Sequence, residues 1–248
     1  MKNNIKEFES LFNNIKSMGY VKSLRKGTTG AGYTFETLLG KAEDSLSLPD
    51  FKGIEIKTTY AKYRKDIVLF SYAPESNIIC ENERLLREYG YQKDNTNDII
   101  AFRHNFTSRY NDKNTYKAKL EFDDEFDVLT LKIYDKYTYE CIDKGTYWNN
   151  ERLLNLLETK LNYLAIVKVN KKIIKDEIYY AYYDYSLYKL KNSKLILDLI
   201  RQGDVYVQFT MAIKEAEDKR IYVDNHGTHF ILKIDAVEKL FEKIKKTI

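Results

Sequence analysis

The sequence predicts a mixed α/β fold, and three observations carry that prediction. Apolar residues recur at three- and four-residue spacing in some segments and at two-residue spacing in others. Helical and strand segments alternate along the whole chain, with no repeat and no low-complexity linker. An apolar content of 44% over 248 residues is enough for a substantial core, in one large domain or two packed lobes.

In chain order, Ile5, Phe8, Leu11, Phe12, Ile15 and Met18 trace one face of a helix over 3–18, which Gly19 stops. The segment "RKGTTGAGYTFETLLGKAED" (25–44) reads as a glycine-rich turn followed by a short helix through Phe35, Leu38 and Leu39. "SLPDFKGIEIKTT" (47–59) follows as a strand, with "DIVLFSYAP" (66–75) as its hairpin or sheet partner. "ENERLLREYGY" (81–91) is helical, and the polar, basic run 103–114 is expected to be a loop. Two strands, "TYKAKLEF" and "VLTLKIYD", bracket the acidic turn "DDEFD", and "YTYECID" adds a third. A helix over 149–161 is capped near Asn149 or Asn150.

The strands "NYLAIVKVN" and "EIYYAYYDYSLY" come next, the alternating tyrosines of the second marking sheet packing in preference to base stacking. They precede a helix near 193–201, the strand "DVYVQFTMAI", the loop "KEAEDKRIYVDNHG", the strand "THFILKI" and a terminal helix over 234–247.

The net charge of +4, from 41 basic and 37 acidic residues, permits a nucleic-acid partner without announcing one. Cys80 and Cys141 match no zinc spacing and there are three histidines, so any metal is expected on carboxylates. The N-terminus lacks the apolar core of a signal peptide, and no apolar run approaches the roughly 20 residues that span a bilayer. The expectation is a cytoplasmic protein without a membrane partner.

Candidate chemistry centres on Glu-x-Lys, which occurs at Glu55/Lys57, Glu158/Lys160 and Glu217/Lys219. The second falls on a helix, where i and i+2 point apart, and the third in a polar loop, so both read as solvated charges. Only the first lies on a strand, where Ile54 and Ile56 face the core and Glu55 and Lys57 share the other face. Asp50 brings a second carboxylate to the same end, and Glu36 stands on the short helix upstream. Paired carboxylates suit Mg²⁺, a hard ion with oxygen ligands, and a neighbouring lysine can orient water or stabilise charge on phosphorus. Taken alone, an acid–lysine pair on an edge strand is more often an ordinary ion pair than a site. The glycine-rich turn lacks the Gly-Lys-Ser/Thr ending of a phosphate-binding loop.

The run "RKGTTGAGYTFETLL…EDSLSLPDFKGIEIKT", with "GTYWNNERLLNLLETKLNYLAIV" (145–167) and "DNHGTHFILKI" (224–234), resembles the MvaI/BcnI restriction endonucleases. These are relatives of the MutH nickase in the PD-(D/E)xK superfamily, and the resemblance spans most of the chain in the same order. It implies a PD-(D/E)xK core, a mixed sheet flanked by helices, with a DNA-recognition lobe. The catalytic lobe would take about 1–80 and 146–170, and recognition mainly about 81–145 and 171–248.

The resemblance makes Asp50, Glu55 and Ile56 the Mg²⁺ site (Mn²⁺ substituting), Lys57 the catalytic lysine and Glu36 a supporting acid. It implies a monomer that clasps duplex DNA between the lobes and cuts a short specific site one strand at a time. A cognate DNA methyltransferase would share the system without binding it. His226 matches a family loop that reaches base edges, with His229 beside it. The arginine that the family often carries near the position of Ile231 is absent, which bears on the bases read and not on the chemistry. Lys26, Arg84, Arg87, Arg103 and Arg109 complete the candidate DNA contacts. A MutH-like nickase and a DNA-binding protein with a vestigial site are the alternatives.

Overall fold

The computed structural model describes residues 1–40, 48–60, 66–75, 81–92, 98–113 and 115–244. They form six α-helices and thirteen strands in three sheets. The order is α1 (Lys2–Ser17), β1 (Val21–Lys22), α2 (Gly30–Leu38), β2 (Ile54–Tyr60), β3 (Ile67–Ser71), α3 (Glu81–Tyr89), β4 (Asp98–Phe106), β5 (Asn111–Asp112), β6 (Tyr116–Asp123) and β7 (Val128–Asp135). β8 (Cys141–Asn149), α4 (Asn150–Leu161), β9 (Tyr163–Ile174), β10 (Glu177–Leu190), α5 (Leu195–Gln202), β11 (Val205–Glu215), β12 (Ile221–Leu232), α6 (Val237–Leu240) and β13 (Phe241–Lys243) follow. The chain divides into two compact units, one of residues 1–67, 156–193 and 234–248, the other of 68–155 and 194–233.

The first unit is built on the sheet β1-β10-β9-β2, with β13 also on β10. β2 runs parallel to β9, pairing Glu55 with Leu164 and Lys57 with Ile166. Phe8, Phe12 and Ile15 from α1 and Phe35 from α2 pack on Ile54, Ile56, Val167, Val169, Tyr180, Tyr182, Tyr185 and Leu187 in one core. Each fully buried phenylalanine there contributes roughly 2–3 kcal/mol. The tyrosines of β10 belong to this core despite a change of parity between 182 and 185. A register shift between Tyr182 and Asp184 supplies the extra residue that returns Tyr185 and Leu187 to the same face.

The second unit carries the sheets β3-β12-β11-β4 and β5-β6-β7-β8. Trp148, fully buried, donates its indole N–H to the Tyr72 carbonyl at 3.0 Å and sits edge-on to Phe230. Asn149 caps α4 by accepting the Arg152 N–H at 2.9 Å.

Four sequence expectations are corrected. β3 joins β12 instead of β2, because β2 finds its partner in β9 more than a hundred residues later. Residues 103–106 extend β4 in register with β11, since Phe102, His104 and Phe106 alternate inward. The loop expected through "IYVDNHG" is the first half of β12, with His226 and Gly227 bulged opposite Thr210. The terminal helix is a 3₁₀ turn (Ile234–Ala236) and the single turn α6. The described chain then extends as β13, because Phe241 buries against β10. The two units also divide the chain differently from the expected lobes: 68–75 and 146–155 lie in the second unit, and 171–193 and 234–244 in the first. Residues 171–190 lie in the first unit, because they complete the β9–β10 hairpin.

Candidate active site

A tight turn sets the geometry of β2. Phe51 and Ile54 exchange backbone hydrogen bonds of 2.9 and 2.8 Å across Lys52 and Gly53, both at positive φ (44° and 90°). Positive φ at both central residues is the primed turn that matches strand twist, and glycine takes the second position without strain. The turn folds Asp50 back alongside the strand, where its Oδ2 accepts the Ile56 N–H at 2.8 Å. Asp50 thereby satisfies part of the strand edge that β9 leaves open. The Ile56 side chain belongs to the core, so this residue can offer an ion only its backbone carbonyl.

Strand phase then carries Glu55 and Lys57 to the opposite face. Glu55 is only 2% exposed. Lys57 Nζ donates to Glu55 Oε1 at 2.7 Å, whereas the buried Oε2 has no hydrogen-bond partner among the described residues. Burial pushes the Glu55 carboxyl above the usual carboxylate range. The charge of Lys57 opposes that rise, Asp50 adds to it, and the Lys57 hydrogen bond and the charge of Lys160 oppose it further. A buried carboxylate oxygen without a donor is costly and calls for an explanation.

Lys160 was unexpected. It sits in the last turn of α4, and its Nζ lies 3.8 Å from Glu55 Oε1. The two members of this Glu-x-Lys do point apart, as the helix dictates. Glu158 turns to the Ser193 hydroxyl while Lys160 turns to the β2 carboxylate. No spacing rule within α4 could reveal that, because the partner arrives from another element.

Glu36, half-buried on α2, comes close to the same strand. A Cβ placed at Gly32 would lie 3.5 Å from Glu36 Oε1 and 3.8 Å from the Thr58 hydroxyl. The start of α2 is pinned beneath it. Tyr182 donates to the Ala31 carbonyl at 2.7 Å, and a Cβ at Gly30 would meet Arg25 O at 2.6 Å and Tyr180 Oη at 2.9 Å. Only glycine fits that approach. Among the described residues, no group of three or more His, Cys, Asp or Glu side chains is arranged to hold an ion. The pair Asp50 and Glu55, with the orphaned Oε2 of Glu55, nonetheless offers the hard oxygen donors that Mg²⁺ takes.

The remaining candidates separate by engagement. Lys26 and Arg109 are exposed. Arg87 pairs with Glu83 at 2.6 Å but stays 60% exposed. Arg103 holds Asp98 at 3.1 Å. His226 lies 3.3 Å from Asp224 on the β12 bulge and is exposed. Arg84 is different, because its guanidinium is spent within the fold on Glu81, Glu88, Asp143 and Thr146. Its charge is already engaged within the second unit. The sheet β3-β12-β11-β4 also presents a row that sequence inspection missed. The Ser71 hydroxyl meets His229 Nδ1 at 2.8 Å, His229 is in register with Gln208, and Gln208 Nε2 donates to Asn105 Oδ1 at 2.9 Å. Exposed and partly exposed positions on four strands signal this row only once their register is known.

The profile of the MvaI/BcnI restriction endonuclease family matches residues 9–241. The chain belongs to this family. It is therefore a type II site-specific deoxyribonuclease, and its mixed α+β architecture is that of the PD-(D/E)xK enzymes. Among solved structures it is similar to a complex of restriction endonuclease MvaI with cognate DNA substrate, at 29% identity and a TM-score of 0.87. Coverage is 98% of each chain. It is also similar to MvaI in the absence of DNA, at 29% identity, the same coverage and a TM-score of 0.59. No curated protein matches the chain. No helix among the described residues is long and apolar enough to cross a membrane.

Proposed function

We propose that this endonuclease hydrolyses phosphodiester bonds of duplex DNA at a short specific sequence, as a monomer cutting one strand at a time. Asp50, Glu55 and the Ile56 carbonyl would hold Mg²⁺, with Mn²⁺ as a substitute. A divalent ion there supplies Lewis-acid polarisation of the phosphate and a bound water of lowered pKa. Lys57 orients the attacking water or stabilises the charge developing on the phosphoryl oxygens. Glu36 supports the site from α2, and Asp50 keeps the β2 edge in place through the Ile56 N–H. The observation that carries this reading is the buried Glu55, with one oxygen on Lys57 and the other without a partner among the described residues.

Recognition is assigned to the second unit. His226 and His229, with Gln208 and Asn105 in the same sheet, offer the donors and acceptors that base edges pair with. Arg87, Arg103 and Arg109, together with Lys26 of the first unit, contact phosphates. A cognate methyltransferase would protect the host sequence without contacting this chain.

The test is digestion of plasmid and phage DNA with Mg²⁺, comparing wild type with Glu55→Ala and Lys57→Ala. Discrete fragments with common ends from wild type, and none from either variant, are expected. Equal cleavage by a variant would overturn the site assignment.

A further inference from the structure

The sheet β5-β6-β7-β8 has an outward face that neither the cleavage chemistry nor the recognition reading uses. Tyr116, Ala118 and Leu120 of β6 and Leu129, Leu131 and Ile133 of β7 turn inward and are buried. Trp148 of β8 joins them and meets Phe209 of β11 and Phe230 of β12, so this sheet and β3-β12-β11-β4 share one core. Their outer faces therefore look away from each other. The row of Asn105, Gln208 and His229 lies on one, and Lys117, Lys119 and Lys132 lie on the other.

The lysine face is assembled against the usual rule of sheet pairing. Lys119 and Lys132 stand directly opposite each other across β6 and β7, where like charges destabilise. Both lean on Glu121, at 2.9 and 3.3 Å. Lys117, about 7 Å further along β6, meets no carboxylate among the described residues. Three ammoniums thus share one acid. Tyrosine rings hold two of them in place, with Lys117 3.8 Å from the Tyr139 ring centroid and Lys119 4.3 Å from that of Tyr110. Both rings are exposed, and Lys119 and Lys132 keep 19% and 26% of their surface in solvent. Ammoniums and phenol hydroxyls, without a guanidinium fork, suit phosphates along a backbone and read no base.

We propose that this face is a second, sequence-independent DNA site, on which Lys117, Lys119 and Lys132 hold the phosphate backbone of a duplex segment other than the one being cut. The proposal goes beyond the nuclease reading and takes from it only that the recognised duplex lies on the opposite face of the second unit. One chain then bridges two duplex segments, and the phosphates supply the anions that Glu121 alone does not.

A duplex carrying the cleaved sequence is fixed to beads, loaded with one equivalent of enzyme in EDTA and washed. A labelled duplex lacking that sequence is then added over a range of salt. Wild type is expected to retain the labelled duplex. The variant Lys117→Gln/Lys119→Gln/Lys132→Gln should bind it at least about tenfold more weakly, the scale of one charge-assisted hydrogen bond. Its slope of log K against log salt should be flatter by about three. The same variant should cut a short duplex that only spans the site at the wild-type rate, and Lys117→Arg/Lys119→Arg/Lys132→Arg should restore retention. Lys117→Glu leaves the Glu121 pairs intact and should lose most of the retention, which keeps the test valid if the triple variant fails to fold. The inference is overturned if wild type retains no second duplex, if the glutamine variant retains as much as wild type, or if polyglutamate binds as well as DNA at equal charge. If wild type cuts no DNA, the nuclease reading itself has failed; if it cuts but bridges nothing, only the second site has failed.

Discussion

Two clusters, one in each unit, set buried carboxylates against cationic side chains and behave in opposite ways. In the second unit Arg84 forms a bidentate pair with Glu81 at 3.0 and 2.6 Å and reaches Asp143 at 2.7 Å. Thr146 adds a donor to Glu81, and the Gly145 N–H adds one to Asp143. Burial alone would raise both carboxyls, but these hydrogen bonds outweigh it and hold Glu81 and Asp143 below the usual carboxylate range. In the first unit Glu55 is buried as deeply, yet one oxygen has no donor among the described residues, and its carboxyl is held above that range. Burial therefore does not mark the site. What separates the two clusters is how completely the buried groups are satisfied, and the proposed ion at Glu55 would supply the partner that its second oxygen lacks among the described residues.

The comparison breaks most visibly at Glu55→Gln. Cleavage in single-turnover assays should fall by about three orders of magnitude or more, the scale of losing a group essential to charge stabilisation. Thermal unfolding of the ion-free protein at pH 7 should show no loss of stability. The sign follows from linkage. A carboxyl raised in the fold binds its proton more tightly than in the unfolded chain, so its contribution weakens as pH rises from the unfolded value to the folded one. Replacing it with glutamine removes that cost at neutral pH, and the advantage should vanish below about pH 4.

Arg84→Ala should do the reverse. It leaves Glu81 and Asp143 buried without their main donor and should cost about 2–3 kcal/mol in denaturant melts. That is below the range for a fully dry pair, because Arg84 keeps 17% exposure. The wild-type cluster stabilises above the unfolded pKa of its acids. That contribution is lost as pH falls through their depressed folded values, so Arg84→Ala should flatten the acid side of the stability profile.

His104 gives a smaller effect that separates burial from ion pairing. Burial among Phe102, Phe106 and Tyr116, with the nearby charge of Lys113, lowers its pKa to about 4. Unfolding exposes an imidazole that protonates more readily, so stability should climb between about pH 4 and 6.5. His104→Phe should remove that slope in melts across the window.

The glycines of α2 give the finest contrast. Gly30→Ala should destabilise the first unit by about 1–3 kcal/mol, since its Cβ has no room against Arg25 and Tyr180. Gly32→Ala meets only ordinary contacts and should leave the melting temperature nearly unchanged, with any effect confined to cleavage through Glu36.

Periodicity along the chain was enough for α1 and its glycine stop, the Asn149 cap of α4, and the strand phase that sends Ile54 and Ile56 one way and Glu55 and Lys57 the other. These depend on contacts within a few residues, where backbone geometry and side-chain period are local properties. The Pro-Asp before the turn and Glu36 upstream were legible for the same reason, being close in sequence to the strand they serve. What tertiary structure alone decided involves partners distant along the chain. β9 took the place beside β2, β10 drew Phe241 out of a helix into an edge strand, Arg84 was consumed by Asp143, and Lys160 was brought to Glu55 from a Glu-x-Lys that helical geometry appeared to disqualify. Sequence shows which way a side chain leaves its own backbone. Which charge it meets there depends on register and packing between elements that the period of a single segment does not encode.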